Sequence, residues 1–439
     1  MRKRLAWVAL LLLTLPVFAL AQNQAPPPAH VPQPATQITL PVPTQRISID
    51  EAIRLALQHN HALQAMRTTI LQNQAQEITA NLRPNPVLSW DAQFLPIFEP
   101  DKFTSDWIDN QAQFDVGISY LFEIGKKRQH RLRAAKDATE QTRWQVTDNE
   151  RQVTFNVAQQ FIGALLAQST FEFAEQDLKS FQQTVDISEA RRKAGDMSEG
   201  DLLKIKLQLL QFQTDVASAK VAKVQALAAL RQLVGFESVA DAFDVTGDLE
   251  YQAVHGGLDE FKAMALRSRP DLMAARQGVI AAESSEKLAK ANVYRDLGTT
   301  FNYSHISSTN TGAFFFNIQL PIFDRNQGEV ARTKYVITQN QELAQEASQQ
   351  VLTDVVDAYY SLRTNDEIIQ LYRGGYVDYA TQSRDISEYA YKRGAVSLLD
   401  YLDSERSYRA NQLAYRQALA NYMVAVEQMR QAVGSRNLP

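Results

Sequence analysis

Apolar residues along this chain keep two rhythms, and the switch from one to the other happens in the same order twice. From Ile47 the period is helical, with Ile53, Leu57 and Leu63 on one face and Ser48 or Asp50 placed to cap the start, which predicts a helix over 50–82. The period then drops to two. Leu88, Trp90, Ala92 and Phe94 alternate with Ser89, Asp91 and Gln93, and Ala112, Phe114, Val116, Ile118, Tyr120 and Phe122 alternate with Gln113, Asp115, Gly117 and Ser119. Two strands of about ten residues are expected there, each with an apolar and a polar face. The second half offers a helix over 260–291 and two more such strands. In these, Leu297, Thr299, Phe301 and Tyr303 alternate with Gly298, Thr300, Asn302 and Ser304, and Phe314, Phe316, Ile318 and Leu320 alternate with Ala313, Phe315, Asn317 and Gln319.

After each strand pair, runs over about 126–193 and 327–393 contain no proline and no break apart from Gly163 and the Gly374-Gly375 pair. At the helical rise each run reaches about 100 Å, too long a face for one globular core, so coiled-coil packing is expected. The return helices, over 199–234 and 398–433, are half as long. The first helix of each half makes up the difference if it stacks end to end with the return helix beside the long one. Ala217, Ala219, Ala222, Ala226, Ala410, Ala414, Ala418 and Ala420 either permit close approach there or serve helix propensity alone.

The reversals between long and return helices share their landmarks. Gly195, Ser198, Asp201 and Leu203 answer to Gly394, Ser397, Asp400 and Leu402. Each reads as a helix stopping at glycine, a tight turn, and a new helix opened by a serine three residues before an aspartate. The chain is therefore expected to be one architecture built twice, with a first repeat over 47–235, a spacer over 236–257, a second repeat over 258–434 and a tail over 435–439.

Strand length bears on what the sheet is for. Soluble sheets usually use five or six residues per strand, whereas a tilted strand crossing a bilayer needs about 9 to 11 with apolar-out, polar-in alternation. A soluble β-domain with an aromatic core is the other reading of Trp90, Phe94, Phe301, Tyr303 and Phe314 to Phe316. Four strands cannot enclose a lumen and open edges are not tolerated in lipid, so the membrane reading requires several copies of the chain to share one barrel.

The first residues add a compartment. Arg2-Lys3-Arg4, the apolar run Leu5 to Leu20 and the small-residue site Ala19-Leu20-Ala21 read as a signal peptide over 1–21, and seven prolines between residues 26 and 43 make 22–46 a tether. There is no cysteine, so lipidation of an N-terminal cysteine, disulfides and thiolate metal sites are excluded. With 21% charged residues, a net charge of −4 and a mean hydropathy of −0.30, the composition suggests neither a nucleic-acid binder nor a bundle of membrane helices. The only close histidine pair, His59 and His61, has no carboxylate cluster at ligand spacing and reads as a surface pair. No P-loop, G-x-S-x-G, H-E-x-x-H or G-x-G-x-x-G stretch occurs, so no enzyme and no cofactor is expected.

The paired G-x-x-S-x-x-D tips, the passage Leu320-Pro-Ile-Phe-Asp-Arg-Asn-Gln-Gly328 and the layout shared by both halves resemble the outer-membrane efflux proteins of the TolC family, over nearly all of the chain after residue 46. The resemblance implies an α+β membrane protein: a homotrimer whose twelve strands form one β-barrel in the outer membrane, continuing as an α-helical coiled-coil tunnel through the periplasm. The strand-to-helix stretches Phe122 to Arg133 and Pro321 to Gly328 are most similar to the CzcC-like branch, which serves divalent-cation efflux. On that footing Leu88, Trp90, Phe94, Phe114, Val116, Ile118, Phe301, Tyr303, Phe314, Phe316 and Ile318 would face outer-membrane lipid. The tips at Gly195, Ser198, Gly394 and Ser397 would dock a periplasmic adaptor served by an inner-membrane pump of RND type.

Asp400 and Asp403, three apart on one helical face, would give two rings of three carboxylates at the narrow end, with Asp201 as the first tip's counterpart and Tyr391 at the constriction. The family's basic residue between glycine and first gate aspartate is replaced here by Val396 and Ser397. Asp201 and Asp400 also read as plain capping residues. The expected function is a passive exit duct for efflux, for metal cations, drugs or secreted protein. The rival from another class is a periplasmic coiled-coil adaptor or scaffold.

Overall fold

The computed structural model describes residues 43–438; the expected signal peptide and all but the end of the expected tether lie outside the described residues. Its first element, β1 (Gln45–Ile47), pairs in parallel with β4 (Phe243–Val245) from the spacer. These three-residue strands come from stretches expected to be tether and side structure. Burial explains them: Ile47, Phe243 and Val245 enter an apolar core with Phe161, Leu165, Leu230 and Val234.

The expected first helix is two helices, α1 (Ile49–His59) and α2 (His61–Asn81). Ser48 caps α1 by accepting from the Glu51 amide. The break falls at Asn60, whose side chain accepts from the Leu63 amide at 3.0 Å and donates to the Leu233 carbonyl at 2.9 Å. One amide thus closes α2 at its start and satisfies a carbonyl at the end of α5 (Glu199–Val234), which fixes the end-to-end joint between first and return helices. Asn60→Ala is expected to cost about 1–2 kcal/mol, read as a lower midpoint in chemical denaturation.

The second half breaks at the matching place. Helices α6 (Leu258–Ser268) and α7 (Pro270–Ala291) meet at Arg269, held extended because Pro270 follows it. Ser268 donates to the Val433 carbonyl at 2.6 Å, and Arg269 to that of Ala432 at 3.2 Å, at the end of the last helix.

Helix α4 (Lys127–Ala194) is unbroken for 68 residues, about 100 Å. Its counterpart is interrupted: α8 (Gln327–Leu371) passes through a π turn at Tyr372–Tyr376, where Gly375 has φ +110°, before α9 (Val377–Lys392) and α10 (Leu398–Val433). Glycine carries that conformation without a Cβ penalty. Three apolar cores run along the helices. The first joins α1, α4 and α5, the second α6, α8 and α10, and the third gathers both tips around Phe181, Phe212, Tyr391 and Tyr401.

Four strands form one antiparallel sheet in the order β2 (Val87–Gln93), β3 (Gln113–Phe122), β5 (Leu297–Ile306), β6 (Thr309–Ile318), so the two halves meet edge to edge at β3 and β5. Strand β2 has seven residues rather than ten, because Phe94 turns left-handed at φ +57° and ends it. The 19 residues 94–112 that follow include the short helix α3 (Ser105–Asn110) and fasten to the β5–β6 turn, where Ser307 donates to the Asn110 carbonyl at 2.8 Å. That turn places Ser307 and Ser308 at φ +46° and +61°, the left-handed pair that suits a two-residue hairpin.

Candidate functional site

Register turns strand alternation into two unlike faces. Leu88, Ile118, Phe301 and Phe314 stand in one cross-strand row, and Trp90, Val116 and Tyr303 in the next. Phe114, Phe316 and Ile318 fall on the same face by parity of register. It is open to the outside: Trp90 is 70% exposed and Phe314 73%. The opposite face carries rows Ser89–Gly117–Asn302–Ala313 and Asp91–Asp115–Ser304–Thr311. A Cβ at Gly117 would come within 2.7 Å of the Ser89 hydroxyl and 2.9 Å of the Asn302 amide oxygen, so the polar side chains close over that glycine. Of the residues expected on the apolar face, Phe94 alone lies outside a strand; its carbonyl accepts from the Trp107 indole at 2.7 Å.

At the far end of the helices the tips are built alike. Gly195 and Gly394 take left-handed backbones, φ +86° and +73°, that let α4 and α9 end and turn. Ser198 accepts from the Asp201 amide at 3.1 Å and donates to the Asp201 carboxylate at 2.8 Å. Ser397 does the same for Asp400 at 3.2 and 2.7 Å. The carboxylates differ in company. The Ser198 hydroxyl and then Lys204, 3.2 Å away, hold Asp201 below its ordinary range. Asp400 and Asp403 are both exposed and, among the described residues, neither lies in an ion pair.

Tyr391, expected at the constriction, is packed inside the single chain. It is 5% exposed, stacked on Tyr401 at 5.0 Å with an interplanar angle of 7°, and its carbonyl accepts from Arg191 of α4 at 3.1 Å. Arg191 also lies 5.6 Å from the Tyr391 ring. Within one chain this ring ties the two tips together, because stacking on Tyr401 buries apolar area between facing helices.

Above it lies a polar seam that sequence reading did not single out. Arg409 of α10 pairs with Asp177 of α4 at 2.6 Å and with Asp215 of α5, and its guanidinium lies 4.1 Å from the Phe212 ring centre. Nothing local in the sequence signals it, because its partners come from two other helices. Among the described residues no group of three or more histidines and carboxylates is placed to hold a metal ion, and no helix is long and apolar enough to cross a membrane.

A sheet with a continuous apolar face, set on paired helical hairpins with capped tips, defines a protein of the outer membrane efflux class. The chain belongs to that family, described as outer membrane efflux proteins, which it matches over residues 52–236 and 263–435. It is 26% identical over 318 residues to the cation efflux system protein CusC of Escherichia coli K12, covering 67% of each chain. It is 22% identical over 365 residues to the cobalt-zinc-cadmium resistance protein CzcC of Cupriavidus metallidurans, covering 82% of this chain and 84% of that one. The fold agrees with the crystal structure of CusC, with a TM-score of 0.72 at 20% identity over 92% of this chain and 96% of that one. The protein is an outer-membrane efflux protein, and the reading as a soluble periplasmic scaffold is set aside.

Proposed function

We propose that the chain is the exit duct of a tripartite efflux system. Three copies share a twelve-stranded barrel and a helical tunnel, and cargo arrives from an inner-membrane pump of RND type through an adaptor seated on the Gly195 and Gly394 tips. The observation that carries this is the sheet. It has one apolar face and two unpaired edges, β2 and β6, and in lipid those edges need partners that only further copies supply. Head-to-tail pairing of β6 with the next copy's β2 can close such a ring, and three is the number of copies that the resemblance to TolC-family channels implies. Exposed apolar stripes on the helices support the same assembly: Leu203, Leu207 and Leu210 on α5, and Tyr376, Tyr379, Ile386 and Tyr389 along the π turn and α9. The two halves, each a broken helix, two strands, a long helix and a capped return, are read as repeats of one unit.

Metal cations are the proposed cargo, on the kinship with CusC and CzcC and on the carboxylates of Asp400 and Asp403 at the second tip, which have no basic partner among the described residues. Asp201 and its Lys204 partner make the first tip the fixed side. Purified protein in planar bilayers is expected to give cation-selective pores whose selectivity falls several-fold in Asp400→Asn/Asp403→Asn. A protein that never conducts, wild type or variant, would sink the proposal; conduction with unchanged selectivity would remove the two aspartates from the gate.

A further inference from the structure

The seam above the tips contains a carboxylate that its surroundings do not neutralise. Among the buried carboxylates on helices, Asp137, Asp177 and Glu427 each have an arginine nitrogen within 3 Å. Glu405, 5% exposed, has no basic nitrogen within 4 Å among the described residues. It faces Asp177, itself 6% exposed, across the contact between α10 and α4.

The remaining charged and titratable groups around it are already engaged. Arg409, one turn on along α10, is held by Asp177 and by Asp215 of α5. From α9, Arg384 pairs with Asp385 at 3.0 Å and lies over the Tyr408 ring at 4.4 Å, while Glu388 pairs with Lys392 at 2.6 Å. Tyr401, on Glu405's own helix, has its hydroxyl 3.3 Å from that of Thr184. Arg416 lies over Phe173 at 4.4 Å. Three carboxylates, Asp177, Asp215 and Glu405, therefore share one committed arginine and a second that is mostly occupied. Two buried carboxylates that face each other cannot both ionise without driving their helices apart.

We propose that Asp177 and Glu405 form a proton-operated latch on the tips: a proton held between them keeps α4 and α10 together, and its loss loosens the Gly394 reversal from the Gly195 one. The latch sits about 12 Å above Ser397 along α10, close enough for a shift of one helix past the other to reach the turn. Burial first, then repulsion from Asp177, pushes the Glu405 carboxyl up to about 7, and burial raises Asp177 as well against the pull of Arg409. The sign follows. A carboxyl held above its unfolded value of 4.5 favours the closed packing fully below that value, and the advantage is lost as pH rises from there through about 7. The tips are thus held at acidic pH and released toward neutral and alkaline pH.

The inference rests on the tips being the mobile mouth of the duct, and two readouts keep the two ideas apart. The full chain has no native cysteine, so spin labels at Asp196→Cys and Ala395→Cys report the separation of the tips without background. The distance distribution is expected to shift outward between about pH 5 and pH 8 in otherwise native protein, and to keep its low-pH form at both in Glu405→Gln. Infrared difference spectra of the same samples should show a protonated carboxyl that disappears near neutrality and is absent from Glu405→Gln. An outward shift that persists unchanged in Glu405→Gln would overturn the latch, as would a chain with no carboxyl titrating near neutrality. A carboxyl that titrates while the tips stay still would overturn it too, and would leave the duct, tested by conductance, untouched. Should Glu405→Gln fail to assemble, Asp177→Asn serves the infrared arm, where loss of the neighbouring charge is expected to move the band to lower pH.

Discussion

Phe301→Arg is expected to abolish assembly in the outer membrane, while Thr300→Arg, one residue earlier, is tolerated. Phe301 stands mid-strand in β5 between Ile118 and Phe314, its ring 5.0 Å from that of Phe314. If the strand faces lipid as proposed, an arginine at its middle costs about 2–4 kcal/mol per chain, and in the proposed trimer three copies would bear it together. Thr300 lies in a row of the opposite face, between Ser119 and Phe315, where a cation would meet the interior of the proposed barrel. The measurement is the fraction of each variant recovered as detergent-extracted trimer from outer membranes. Equal recovery of both would show that the aromatic face does not meet lipid, and with it would go the barrel.

The second large effect concerns the joint between the first and return helices of the second half. Arg269 is 3% exposed and holds Asp271 at its N-terminal helix end, Asp354 of α8 at 2.8 Å and the Ala432 carbonyl of α10. Arg269→Ala leaves two part-buried carboxylates facing each other, and is expected to cost about 3–5 kcal/mol, seen as a lower denaturation midpoint near neutral pH. The pH dependence has a definite sign. Burial alone would raise the Asp271 carboxyl, but the Arg269 guanidinium outweighs it and holds Asp271 below its ordinary value. A depressed carboxyl contributes stability above its unfolded value and loses it as pH falls through the folded one. The deficit of Arg269→Ala should therefore be full at neutral pH and shrink below about pH 4, where protonated Asp271 no longer needs a cation. A deficit that stays constant into acid would mean that Arg269 acts by packing alone.

What could be read from the sequence divides along the range of the forces involved. Ser198 and Ser397 cap the return helices as expected, because a cap is made within four residues. The alternation of Leu88 with Ser89 and of Phe301 with Asn302 gave the two faces, because a strand's side-chain period is fixed by its backbone. The break at Asn60 was hidden: its cap on the Leu63 amide is local, but its other bond, to the Leu233 carbonyl, is made 173 residues away. Pro270 marked the matching break, yet the helical rhythm on either side masked it. The pairing of β1 with β4 joins residues about 200 apart in strands too short to show a period. Tyr391 was placed by its distance from Gly394, whereas its position is set by Tyr401 and Arg191, partners on other helices. Ser307-Ser308 makes a left-handed hairpin turn without the asparagine or glycine that usually signals one.

The interruption at Tyr372–Tyr376 makes the two hairpins mechanically unequal. A force applied at the Gly195 tip travels along one stiff strut to the sheet, with no place along α4 where it can be absorbed. The same force at the Gly394 tip meets an elbow some 20 residues up, where a π turn and a left-handed glycine have already removed part of the hydrogen-bond ladder. Below that elbow α9 is a short crank of 16 residues, joined to its neighbours by the Tyr391 stack and the Arg191 bond.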